Sequence, residues 1–207
     1  MKKQNVKIVN VNNDNVYYAI NIQRSLFPDS DGAYNFIESL VKTSEFKFWL
    51  IKKDGQYIGT AGIYYLPEDK ESAWLGWFGV LPEFRRQGIG SIAIKHFEKV
   101  ARERGFRYTR LYTNRDDNET AKSFYRSHGY TEEYYECKED PGTAVEILSI
   151  FSKPLHEGDS VPLWGNKNMH IDEQLRKQKI SAMFPSYDKK AEGLKAPRSA
   201  LRNRSKK

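Results

Sequence analysis

The stretch Ala73 to Val80, AWLGWFGV, carries no polar side chain at any position. As a strand it would place Trp74, Gly76, Phe78 and Val80 on one face and Ala73, Leu75, Trp77 and Gly79 on the other. Neither face can be left to water, so this strand belongs in the middle of a sheet with a layer over each side. The rest of the chain must therefore supply helices for two faces and strands for two flanks.

It does so in alternation. Val6 to Val11 alternates apolar and polar residues like an edge strand, and Asp14 is placed to cap a helix whose apolar face is Val16, Ala19, Ile20, Gln23 and Phe27, ending before Pro28. A second short helix is predicted over Ala33 to Lys42. Two strand-like runs, Glu45 to Lys52 and Gln56 to Tyr65, are joined through Asp54-Gly55, a hairpin signal. After the central strand, Gly88 to Arg104 has helical spacing and Gly105 supplies a stop. Arg107 to Thr113 follows as a strand and Asp117 to His128 as a helix, then Tyr130 to Cys137 and Ala144 to Phe151 as a terminal hairpin.

At 207 residues with 39% hydrophobic content the chain can bury one core. Cys137 is its only cysteine, which excludes an intrachain disulfide and a multi-thiolate metal site and points to a reducing, cytoplasmic setting. None of the four histidines has metal-ligand spacing with a carboxylate partner, so no metal is expected. No run approaches the roughly 18 apolar residues that cross a bilayer, and the amino terminus turns polar before a signal sequence could form. Of the +7 net charge, +6 falls in residues 154–207, which hold 12 Lys and Arg against 6 Asp and Glu. Residues 1–153 thus read as one nearly neutral domain. Residues 154–207 read as a basic extension with a short helix at 170–183 and a disordered end. Basic runs release counterions from nucleic-acid phosphates, but beyond Phe184 and Tyr187 this one lacks aromatics for base stacking, and a solvated extension is preferred.

The segment VLPEFRRQGIGS, Val80 to Ser91, lies between the buried strand and a helix. Glycines at a helix start let the backbone approach a ligand, several amides there have no intrahelical partner, and the helix dipole favours negative charge. The segment therefore suits a diphosphate, with Arg85 and Arg86 just upstream to hold phosphate oxygens. A P-loop is excluded because no Gly-Lys-Ser/Thr follows. Gly88-Ile-Gly90-Ser-Ile-Ala93 formally fits the dinucleotide pattern G-x-G-x-x-A, yet seven residues separate Val80 from Gly88 and position 108 is Tyr where an acid is wanted.

With Arg85-x-x-Gly88-x-Gly90, and with NETAKSFYRSHGY at Asn118 to Tyr130, the chain from about residue 5 to 153 resembles the GNAT superfamily of acyl-CoA-dependent N-acyltransferases. The resemblance implies an α/β fold of mixed α+β type. Its sheet would be mostly antiparallel, with six to seven strands, splayed central strands and about four flanking helices. It implies that the amides of Gln87, Gly88, Ile89, Gly90 and Ser91, flanked by Arg85 and Arg86, bind the diphosphate of acetyl-CoA, the acyl donor. Asn118 would contact the pantetheine arm, and Tyr125, two helical turns further on, would protonate the departing thiolate. The family's central strand is bulged, with Gly79 the natural bulge residue here. The carbonyl of Phe78 and the amide of Val80 would then bond pantetheine and thioester, the amide polarising the carbonyl as the oxyanion forms.

The acceptor would be a primary amine on a small molecule or protein, and it must lose a proton before it attacks. The strand holds no base, which leaves Glu71, Glu83, Glu38 or water. Arg126 could reach the 3′-phosphate of the donor or stand equally as a surface charge, and Trp74 or Trp77 could line an acceptor pocket, with a place in the core preferred for both. Two other classes stand beside the enzyme: a non-catalytic acyl-CoA sensor, and a nucleic-acid-associated protein acting through the basic extension. Dimers are common in the family, and the sequence leaves the oligomeric state open.

Overall fold

The computed structural model describes residues 5–42, 46–66, 69–114, 119–137 and 146–164. Its strands are β1 (Val6–Asn10), β2 (Lys47–Lys53), β3 (Gln56–Leu66), β4 (Asp69–Val80), β5 (Tyr108–Asn114), β6 (Thr131–Cys137) and β7 (Glu146–Pro154). The helices are α1 (Val16–Leu26), α2 (Ala33–Val41), α3 (Ile89–Glu103) and α4 (Glu119–Ser127). One sheet runs in the order β1-β2-β3-β4-β5-β7-β6, antiparallel throughout except for the parallel β4–β5 pair. This is the mixed, mostly antiparallel α/β sheet that the sequence implies.

Alternation along β2 shows how the layers are divided. Phe48 and Leu50 enter the cluster under α1 and α2, with Ala19, Ile20, Phe36 and Phe46. Trp49 and Ile51 point the other way, to the side where α3 brings Ala93, Ile94 and Phe97. The β2–β3 turn uses Asp54 and Gly55 at φ +48° and +90°, the positive pair that a tight two-residue hairpin requires. At α1 the start differs from expectation. Asp14 makes no cap; instead the Asn12 carboxamide oxygen accepts from the amides of Asp14 (3.0 Å) and Asn15 (3.2 Å) and shapes the turn into the helix.

The sequence face assignment of the central strand is also corrected. Opposite β3, Thr60 pairs with Gly79 but Gly62 with Gly76, so β4 holds one extra residue, and Trp77 sits there at φ +44°. The bulge flips everything after it. Phe78 joins Ala73 and Leu75 on the α3 side, whereas Trp77 joins the α1–α2 cluster. The bulge residue is Trp77, not Gly79.

The boundary expected after residue 153 falls within β7, and the first part of the extension is packed. Leu155 joins the α3-side cluster, its amide donating to the Arg107 carbonyl at 2.8 Å. Asp159 pairs with Arg107 at 3.2 Å, and Trp164 lies edge-on to Trp74 at 4.9 Å among Leu66, Leu148 and Ile150 on the opposite face. Residues 155–164 thus strap the sheet from one face to the other. The helix and the disordered end expected at 170–207 lie outside the described residues.

Candidate active site

Strands β4 and β5 pair only from Ser72 to Trp74 against Tyr108 to Arg110. Beyond Trp74 they part, β5 following β7 out to Asn114 while β4 stays with β3. The gap that opens exposes the β4 backbone. The Leu81 amide donates to the Ile58 carbonyl at 2.8 Å, so Gly59 and Val80, one step back, form a non-hydrogen-bonded pair. The N–H and C=O of Val80 therefore point away from β3, into the gap, and by alternation those of Phe78 do so too. On the other edge, the Trp77 carbonyl accepts from Thr60 Oγ1 at 2.6 Å, which holds the bulge in place.

The gap leads to the start of α3. After a 3₁₀ turn at Pro82–Phe84 the backbone takes positive φ at Arg86 (+58°) and at Gly88 (+75°), the residue that caps α3. Gly88 has no neighbour within 4 Å of where a Cβ would stand, so glycine is wanted there for its backbone conformation. The first helical bond runs from the Ile92 amide to the Gly88 carbonyl at 3.2 Å, leaving the amides of Ile89, Gly90 and Ser91 without intrahelical acceptors. At Gly90 a Cβ would stand 3.2 Å from the Phe124 ring, so the cradle and α4 touch there.

Side chains of the loop are already engaged. Arg85 Nε donates to the Val80 carbonyl at 2.8 Å, closing the loop onto the end of β4. Gln87 accepts from Lys53 Nζ at 2.5 Å and donates to the Glu83 carbonyl at 3.3 Å. Lys53, at the end of β2, is thus a cation at the cradle that sequence spacing could not reveal; only the β2–β3 register brings it there.

Tyr125 projects from α4 beneath the gap. Its ring lies 6.4 Å from Phe78, 5.3 Å from Phe151 and 6.1 Å from Tyr130. It is buried, and burial pushes its phenol well above the ordinary value, so it stays protonated across the physiological range. Asn118 lies outside the described residues. A residue missed in the sequence is His128: Nε2 stands 3.0 Å from Ser91 Oγ and Nδ1 2.7 Å from the Phe124 carbonyl. Its signal was the His-Gly step closing α4, one turn beyond Phe124.

The three acids separate. Glu71 pairs with Arg107 at 3.0 Å near the other end of β4, seven residues or about 23 Å of strand from Phe78, and is removed from the chemistry. Glu83 is exposed on the cradle turn. Glu38 is buried on α2, with Oε1 3.2 Å from Lys42 Nζ and Oε2 without a hydrogen bond. Arg126 is held by Glu132 (2.5 Å) and Glu119 (3.3 Å), so the guanidinium considered for the 3′-phosphate is already paired. On the α1–α2 side Trp77 donates from Nε1 to Asn35 Oδ1 at 2.7 Å and meets Phe27 edge-on at 5.4 Å, forming a fixed wall beside the bulge. Among the described residues no cluster of His, Cys, Asp and Glu suits a metal ion, and no helix is long and apolar enough to cross a membrane.

Comparison with known proteins agrees with this geometry. The model of the acetyltransferase (GNAT) family matches residues 15–130. A Bacillus subtilis protein named as an uncharacterized N-acetyltransferase, YdgE, is 31% identical over 111 residues, covering 52% of this chain and 70% of that protein. Among solved structures, the Escherichia coli ribosomal-protein-S18-alanine N-acetyltransferase superposes with a TM-score of 0.59 at 19% identity, over 76% of this chain and 99% of that one. A Salmonella typhimurium protein, yncA, solved with its cofactor acetyl-CoA, superposes at 0.60 and 12% identity, over 77% and 98%. A gap between two sheet strands, an amide cradle at its mouth and a protonated phenol beneath it thus stand within a matching family model, and the chain belongs to the GNAT family of acetyltransferases.

Proposed function

We propose that this chain transfers the acetyl group of acetyl-CoA to a primary amine on a small molecule or protein by direct attack within the β4–β5 gap. The observation that carries the reading is the outward-facing Val80 amide on the same gap as the α3 cradle. The donor's diphosphate lies on the amides of Gly88 to Ser91, and Arg85 and Arg86 face its oxygens. The pantetheine arm follows the β4 edge, accepting and donating at Phe78 and Val80. Asn118 remains the proposed contact for that arm.

The amine nitrogen attacks the thioester carbon and a carbon–nitrogen bond forms. The carbonyl oxygen gathers charge against the Val80 amide, which does not have to move to meet it. The carbon–sulfur bond then breaks, the thiolate takes the Tyr125 proton, and the amine loses its proton to water or to Glu83. Positioning along the edge supplies much of the rate. A single cysteine favours a reducing, cytoplasmic setting for this chemistry. The test is thiol release from acetyl-CoA across a panel of primary amines. Amine-dependent release supports the transfer, whereas donor binding without release to any amine favours a sensor.

A further inference from the structure

His128, just past the last turn of α4, reaches Ser91 Oγ in the first turn of α3, and the acetyl-transfer steps above give it no task. We propose that His128 is a positioning residue for the donor's diphosphate, acting through the Ser91 hydroxyl and taking up a proton when the diphosphate binds. The inference rests on the proposed donor site.

Its geometry fixes which nitrogen carries the proton. Nδ1 stands 2.7 Å from the Phe124 carbonyl, which only accepts, and 3.2 Å from Ser127 Oγ, whose own proton goes to that carbonyl at 2.7 Å, so Nδ1 is protonated. The neutral ring then has Nε2 as an acceptor, 3.0 Å from Ser91 Oγ, and the single hydroxyl proton of Ser91 is spent on it. An anion on the cradle needs that same proton. Protonation of Nε2 resolves the competition: Nε2–H donates to Oγ, and the serine proton turns to a phosphate oxygen. The ring itself stays in place, stacked on Phe124 at 4.2 Å, which packs in turn on Phe78 at 5.9 Å.

The surrounding charges make this switch depend on the ligand. Lys95 stands one turn along α3 from Ser91, and Arg85 and Arg86 lie in the loop before it. On α4, Arg126 is neutralised by Glu119 and Glu132. On β7, Lys153, beside Gly129, is neutralised by Glu98 at 2.8 Å. Acids near the α4 end are thus already paired, and a bound diphosphate is the counter-charge that an imidazolium would gain.

The probe is dephospho-coenzyme A, which keeps the diphosphate and lacks the monoester phosphate that itself titrates near neutrality. Calorimetric titrations at neutral pH, in buffers of different ionisation enthalpy, give its affinity and the protons taken up. Wild type is expected to bind with net proton uptake. His128→Phe, which keeps the ring stack, should bind about tenfold more weakly without uptake, as suits loss of a charge-assisted bond. Ser91→Ala, which leaves the imidazole and the core untouched, should lose the uptake as well, and the double variant should be no weaker than either single one. Uptake and affinity that persist in both single variants overturn the inference while leaving the donor site standing. Failure of wild type to bind the probe overturns both.

Discussion

Tyr125 is buried and His96 half-buried among aromatic neighbours, and desolvation acts on them in opposite senses. For Tyr125 it holds the proton on, so the phenol is protonated at rest, as the proposed acid must be. Tyr125→Phe keeps the ring packing against Phe78 and Phe151 and removes only the acid. It should lower kcat by about a hundredfold or more while the acetyl-CoA dissociation constant stays within about twofold, as steady-state kinetics and titration would read. For His96 burial holds the proton off. The imidazole lies edge-on to Trp49 at 4.9 Å with Nε2 unbonded, and its pKa is lowered first by desolvation and then by Lys47 and Lys99. The unfolded chain therefore binds more protons than the native one as the solution is acidified. The stability that neutral His96 lends is full above about pH 6.5 and lost as pH falls through the depressed native value. Denaturant melts of His96→Phe should show a shallower loss of stability between pH 7 and pH 5 than wild type.

Among the elements, β4 and the strap do the most to shape the site. The bulge at Trp77 turns Phe78 toward Tyr125 and Trp77 toward Asn35, so one residue of slippage separates the α3 side from the α1–α2 side. At the other end of β4 the strands are held together by Arg110, almost fully buried. It reaches Ser72 at 3.1 Å, Ser152 at 2.7 Å and the Pro162 carbonyl at 2.5 Å. A guanidinium so desolvated costs several kcal/mol unless its donors are met, and two of these partners come from β7 and the strap. Trp164, whose amide donates to Glu133 at 2.7 Å, closes the arrangement over Trp74. Trp164→Ala should lower the unfolding free energy by about 3–5 kcal/mol in urea melts, and by weakening the lower β4–β5 pairing should also raise KM for acetyl-CoA.

At the scale of the molecule, the parts that local patterning governs were legible in the sequence. The hairpin at Asp54-Gly55, the α3 stop and the two-faced burial of β4 each follow from residues close in the chain. The glycine turn into α3 was legible because its residues are contiguous in one loop. The parts that depend on distant pairing were not. Nothing local tells β7 to insert between β5 and β6, brings Lys53 to Gln87, or spends Arg126 on Glu132. The face of Trp77 was misread because a bulge is invisible to strict alternation. The packing past residue 153 was not legible because Trp164 buries itself against a tryptophan ninety residues earlier. Strand order, bulge and strap together leave the Val80 amide, the cradle and Tyr125 around one gap. The most direct test is calorimetric titration of acetyl-CoA into wild type and Gly90→Asp, whose new side chain would meet Phe124 and set a carboxylate against the diphosphate. Wild type is expected to bind in the micromolar range, and the variant to lose that binding. Equal binding to both proteins, or none to wild type, would contradict the proposed donor site.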